Sequence, residues 1–172
     1  MKKFLIFFIP IIFLHYFVKA QEINKRMFDE IRNQEILIGY CDRYGLTSEP
    51  FDEWFDMELN EYQLDYASLN EIDTHLPATV EITIVLGTWC SDSRREVPRF
   101  YKILDELNYN DDKLTVIGVD SDKQAPVIDF EELKIEKVPT FIFYKKGFEI
   151  GRIIETPEKT LEKDIKKILS DK

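Results

Sequence analysis

The residues best suited to do chemistry lie between Gly87 and Pro98, in the stretch GTWCSDSRREVP. Cys90 stands where the β-branched, mostly apolar run Val80–Leu86 gives way to Val97, Tyr101, Leu104 and Leu107, which recur at helical spacing. A thiolate at a helix N-terminus is stabilised by unpaired backbone N–H groups and by the helix dipole, which makes it a nucleophile at neutral pH. Arg94 and Arg95 add positive charge one turn on, and Asp92 opposes them. The hydrophilic tract Ser91–Arg95 points to a partly exposed thiol rather than an inert buried one. Ser93, three residues after Cys90, is placed to donate a hydrogen bond to the thiolate and favour its ionisation, but it cannot form a disulfide. Arg94 and Arg95 are candidates to hold an anionic group such as a glutathione carboxylate, against the plainer reading of a solvated helix face. Asp92 reads either as a local base or as a dipole partner.

Cys41, in the segment LIGYCDRYG, is the only other cysteine. It has two readings: a thiol that folds over Cys90 and resolves a mixed disulfide on it, or a small buried hydrophobe. Beyond residue 20 the chain has a single histidine, His75, so neither a metal site nor a Cys–His hydrolase is supported, and no cofactor is expected.

The elements that must position this thiol can be traced along the 172 residues. Lys2 and Lys3, the apolar run Phe4 to Leu14 and the small-residue segment ending at Ala20 predict a signal peptide over 1–20, and hence export to the periplasm or beyond. The run is short for a bilayer span, which needs about 20 apolar residues, so no stable membrane span is expected after cleavage. The formal charge is −10, and removing Lys2, Lys3 and Lys19 makes it more negative, which argues against a nucleic-acid partner. Residues 21–78 read as a helical extension, with Ile23, Met27, Phe28 and Ile31 on one face and Phe51, Trp54, Phe55, Leu59 and Tyr62 on a second run. Residues 79–172 read as one α/β domain. Val80–Leu86 is a buried strand, the Val97–Leu107 pattern a helix, and Leu114–Val119 a second strand. A polar connection from Asp120 to Lys137 follows, expected to hold one short helix. Lys145-Lys146-Gly147 joins two further strands as a hairpin, and a last helix is expected to be capped by Thr156. The predicted order, β-α-β-α-β-β-α, gives a central mixed sheet flanked by helices.

Within this order, Trp89-Cys90 lies at a strand-to-helix junction and Pro98 falls eight residues later. Val138-Pro139-Thr140 precedes a strand, and FIFYKKGFEIGRI forms a closing hairpin. Together these resemble the thioredoxin superfamily over roughly Thr79 to the C-terminus. The resemblance implies a thioredoxin-like fold, Cys90 as nucleophile, and a cis-proline loop at Pro139. That loop would turn the Val138 backbone toward Cys90 and align an incoming peptide; Trp89 and Phe141 each read equally as a wall of the groove or as core packing. The departures are equally informative. Ser93 stands where the family's second cysteine would be, and Ile84 and Gly118 stand where its buried acid and that acid's lysine partner would be. TWCSDSRREVPRF is also similar to exported thioredoxin-like proteins of the Bacteroidetes type with a Cys-x-x-Ser motif. The function this implies is monothiol exchange, an oxidoreductase-like activity on disulfide- or thiol-bearing proteins or low-molecular-weight thiols. The alternative is a non-catalytic binding or scaffold protein of the cell envelope. Whether Pro139 is cis, and whether Cys41 reaches Cys90, are questions for the tertiary structure.

Overall fold

A computed structural model describes residues 22–72, 76–126, 128 and 130–170. The expected signal segment and His75 lie outside the described residues. In chain order the elements begin with strands β1 (Arg26–Asp29), β2 (Gln34–Leu37) and β3 (Gly39–Cys41). Helices α1 (Arg43–Leu46), α2 (Asp52–Glu61), α3 (Tyr66–Ile72) and α4 (Leu76–Thr79) follow. The remainder comprises β4 (Val80–Leu86), α5 (Ser91–Glu106), β5 (Leu114–Gly118), β6 (Thr140–Lys145), β7 (Phe148–Ile154) and α6 (Leu161–Ser170).

The sheet follows from the hydrophobicity of its strands. Ile82, Ile84, Val85 and Leu86 of β4 are all buried, which puts β4 at the centre of a five-stranded sheet of order β3-β5-β4-β6-β7. β4 runs parallel to β5, and the other pairings are antiparallel. One face packs on α5 and α6, where Phe100 stacks on Phe141 with ring centroids 4.5 Å apart. The other face is closed by Ile38, Ala125, Phe130 and Val138 over Val85 and Ile117. The hairpin between β6 and β7 turns at Lys146 and Gly147, both with positive φ (53° and 79°), as a two-residue turn matched to strand twist requires. The mixed sheet flanked by helices is therefore as read from the sequence.

Three local expectations need correction. The segment containing Ile23, Met27, Phe28 and Ile31 is not a helix: β1 and β2 form an antiparallel hairpin, and Ile31 is 86% exposed. The apolar spacing there was too sparse to specify a helix. Turn chemistry wins instead, because the Asp29 carboxylate accepts the N–H groups of Ile31 and Arg32 (both 3.0 Å) and Asn33 takes a left-handed backbone. The connection from Asp120 to Lys137 consists of turns, with no helix among its described residues. Its Asp120 side chain draws in the N–H groups of Asp122 and Gln124, the local competition that favours a turn over a helix. Finally, α6 is capped by Thr160, whose hydroxyl accepts the Lys163 N–H at 3.2 Å, rather than by Thr156. Glu155 is left-handed and Asp164 holds the Glu158 N–H, which keeps the chain turned until Thr160. The second helical run agrees with expectation, as α2, with Phe55 buried.

The N-terminal segment is not an independent layer. Gly39 to Cys41 pair with Val116 to Gly118, so β3 forms the sheet edge next to β5.

Candidate active site

The site is built on the turn that joins β4 to α5. The Cys90 N–H returns to the Gly87 carbonyl at 2.8 Å, and Cys90 then serves as the N-cap of α5 with extended backbone (φ −89°, ψ 129°). Its side chain does not cap the helix. The thiol, half-buried and free of any disulfide, donates instead to the Val138 carbonyl oxygen at 3.4 Å. The Val138–Pro139 peptide bond is cis. That loop is braced from both sides: the Glu155 N–H donates to the Pro139 carbonyl at 2.7 Å, and the Thr140 hydroxyl to the Lys137 carbonyl at 2.7 Å. The sulfur thus lies between a helix N-terminus and the backbone of the Val138–Pro139 loop that leads into β6.

Ser93 is fully buried, and its hydroxyl oxygen accepts the Gly87 N–H at 3.2 Å. The hydrogen bond expected from Ser93 to the Cys90 sulfur is not formed. A residue in the first turn of α5 points back at the end of β4, where the Gly87 N–H needs an acceptor. Trp89 donates its indole N–H to the Val119 carbonyl at 2.8 Å, and its ring lies against Gly87 so closely that any side chain there would collide with it. Across the ring, at 4.3 Å from its centroid, sits the Arg32 guanidinium, which also pairs with Asp29 at 3.3 Å. Nothing in the sequence patterning marked Arg32, because it comes from the β1–β2 turn, more than 50 residues upstream. Phe141, considered beside Trp89 as a groove wall, is fully buried in the core.

Arg94 does not display its guanidinium for an anionic substrate, as the sequence suggested. Its Nε donates to the Thr88 carbonyl at 2.6 Å and its Nη2 to the Gln34 side-chain oxygen at 2.8 Å. Burial holds its pKa below the ordinary arginine value, and the charge on Cys90 works in the opposite direction. Arg95 is committed to Glu96 (2.6 Å) and Asp92 (2.8 Å), so Asp92 is an ion-pair partner at the helix start rather than a base beside the sulfur.

The positions of the family's acid and lysine are filled in a telling way. Ile84 is fully buried in the core. Gly118 lies under the backbone of the N-terminal segment, and a Cβ there would overlap the Leu37 carbonyl.

Cys41 is not brought to Cys90. It pairs with Val116, which pairs with Ile84, six residues before Cys90, and it lies in one hydrophobic cluster with Tyr101. Tyr101 is far down α5 from Cys90, about 16 Å by the rise of a helix, whereas a disulfide needs Cα atoms within about 7 Å. The reading of Cys41 as a resolving thiol therefore fails, because β3 is tied to the sheet edge. Burial pushes the Cys41 thiol up to about 12, from a starting value of 9.0. A raised thiol pKa means that the unfolded chain loses its proton first. The contribution of Cys41 to stability is thus fully present below about pH 9 and falls as pH rises toward 12. Cys41→Val should flatten the alkaline loss of stability over that window in urea titrations. An unchanged slope would mean that the thiol is not desolvated.

Among the described residues, no group of three or more His, Cys, Asp or Glu side chains is placed to hold a metal ion, and no helix is long and apolar enough to cross a membrane.

The Thioredoxin family model matches residues 71–167, a span that contains Cys90, Ser93, Val138 and Pro139. Thioredoxin-5 of Dictyostelium discoideum is 30% identical over 92 residues, covering 54% of this chain and 84% of that protein. Thioredoxin H2 of Arabidopsis thaliana is 31% identical over 82 residues, covering 48% of this chain and 57% of that protein. Among solved structures, the thioredoxin of Malassezia sympodialis is 28% identical, with a TM-score of 0.37, covering 56% of this chain and 80% of that one. The β1–β2 hairpin, β3, α1 and α2 precede the matched span.

Proposed function

The chain belongs to the thioredoxin family, with a redox function on thiols and disulfides in general, and from that premise we propose that it is an exported one-thiol exchanger working through Cys90. The observation that carries the proposal is a half-exposed Cys90 thiol held at 3.4 Å from the Val138 carbonyl, at a site whose second cysteine position is a buried serine.

In this reading the Cys90 thiolate attacks one sulfur of a substrate disulfide. A Cys90–substrate disulfide forms, the substrate S–S bond breaks, and the other substrate sulfur leaves as a thiolate. A second thiolate from outside the chain then attacks the mixed disulfide, taking the substrate sulfur and restoring Cys90, so that electrons and sulfur bonds balance without a cofactor. Ionisation of Cys90 removes the S–H that now donates to Val138, which frees that carbonyl for the N–H of an extended substrate strand. With Ile84 and Gly118 where the family's proton-handling pair would be, the proton passes to solvent or substrate. Export is supported by the basic and apolar N-terminal sequence, and an exported protein meets the oxidising surroundings in which substrate disulfides persist.

Incubating the mature, folded protein with glutathione disulfide at neutral pH should yield one glutathionyl adduct on Cys90 by intact mass and peptide mapping, absent from Cys90→Ser. A folded protein that stays unmodified would remove the proposal and favour a non-catalytic scaffold. In that case, Cys90→Ser should keep its full cellular role.

A further inference from the structure

The β1–β2 hairpin lies outside the family match, yet it touches the reaction centre at several points. Arg32 covers Trp89, the Leu37 N–H donates to the fully buried Thr88 hydroxyl at 3.1 Å, and Gln34 takes a guanidinium N–H of Arg94 at 2.8 Å. We propose that Gln34 is a positioning residue of the thiol centre, a neutral acceptor that holds the Arg94 guanidinium beside Cys90 without cancelling its charge.

The charges around the site make the choice of an amide meaningful. Asp92 is spent on Arg95, Lys137 on Glu155 (2.6 Å), and Arg32 on Asp29. Arg94 differs: among the described residues it has no carboxylate within ion-pair distance, and its two acceptors are the Thr88 carbonyl and the Gln34 amide oxygen, both neutral. An arginine side chain only donates, so the Gln34 atom facing it must be the carbonyl oxygen. Two-point fixation of a planar guanidinium sets its orientation. The Trp54 ring, 6.0 Å from the guanidinium carbon, bounds it on another side. Arg94 is thus partly desolvated and unneutralised in the first turn of the helix that Cys90 caps, and its charge and that of the Cys90 sulfur act on one another. A charge held in that way favours the thiolate over the thiol.

This inference rests on Cys90 as the reacting thiol, but its test does not need a disulfide substrate. Gln34→Met removes the acceptor, while Gln34→Glu keeps an acceptor at the same reach and binds Arg94 more tightly, at the cost of neutralising it. The rate of Cys90 alkylation by iodoacetamide at pH 7 should fall about three- to tenfold in Gln34→Glu and by a smaller factor in Gln34→Met. The ultraviolet absorbance of the thiolate should fall in step, with urea midpoints showing both variants folded. A purely structural Gln34 predicts the reverse order, with Gln34→Glu at or above the wild-type rate, and that result would overturn the proposal. If alkylation responds as expected while glutathione disulfide leaves the wild type unmodified, the exchange function fails and the positioning role stands.

Discussion

Gly118→Lys, which would restore the residue type the family resemblance leads one to expect, should destabilise the chain by about 3 kcal/mol or more, and Gly118→Ala by about 1–3 kcal/mol. A Cβ at Gly118 would overlap the Leu37 carbonyl, which is backbone and cannot rotate away as a side-chain tip would. Leu37 reaches that place because the chain bends at Gly39 (φ +84°, open to glycine), the first residue of β3 and the partner of Gly118. Any side chain at Gly118 must therefore push Leu37, at the end of β2, and the β3 strand that follows it away from β5, and with them the Gln34 and Leu37 contacts to the active-site turn. The measurement is the urea midpoint of each variant against wild type. A Gly118→Lys protein of wild-type stability would mean that the N-terminal segment does not rest on Gly118. The departure from the family at this position is thus a packing requirement: the strand that covers the sheet edge occupies the space a lysine side chain would need.

Ser93→Cys should convert the lasting adduct on Cys90 into an internal disulfide. Cys90 is the N-cap of α5 and Ser93 lies in its first turn with its hydroxyl toward Gly87, so an S–S bond needs the new side chain to turn from Gly87 and the two Cβ atoms to come within about 3.5–4.5 Å. Because the introduced thiol attacks from within the same molecule, the adduct lifetime should shorten by about a hundredfold or more. The change has a structural cost of about 1 kcal/mol, since the Gly87 N–H exchanges a hydroxyl acceptor for a sulfur. Intact mass after exposure to glutathione disulfide reads the outcome: an internal disulfide in place of the glutathionyl adduct. Persistence of the adduct beside an unreacted second thiol would show that the buried orientation of Ser93, and not the missing sulfur alone, prevents self-release.

The sheet and its central chemistry were legible in the sequence because they are encoded locally. Val80–Leu86 is β-branched and mostly apolar, with Ile82, Ile84, Val85 and Leu86 buried as a central strand requires, and Lys146-Gly147 supplies the positive backbone angles of a two-residue hairpin. Cys90 after that strand and Pro139 ahead of β6 are placed by the same local patterns. The N-terminal segment was harder to read: four apolar residues at helical intervals do not outweigh the turn made by Asp29 and Asn33, and all four, Ile23, Met27, Phe28 and Ile31, are exposed.

What the sequence by itself determined is a thiol at a strand-to-helix junction, a serine in place of its resolving partner, and a proline loop placed later in the chain. Only the tertiary structure decided which groups surround that thiol. Arg32 and Gln34 reach Trp89 and Arg94 from a hairpin with no sequence periodicity relating them to the site, and Cys41 is kept away from Cys90 by its pairing with Val116. The reason is physical: spacing along a chain specifies contacts within a helix or strand, whereas contacts between distant segments depend on register, close approach at Gly118 and side-chain direction, which exist only once the sheet has formed.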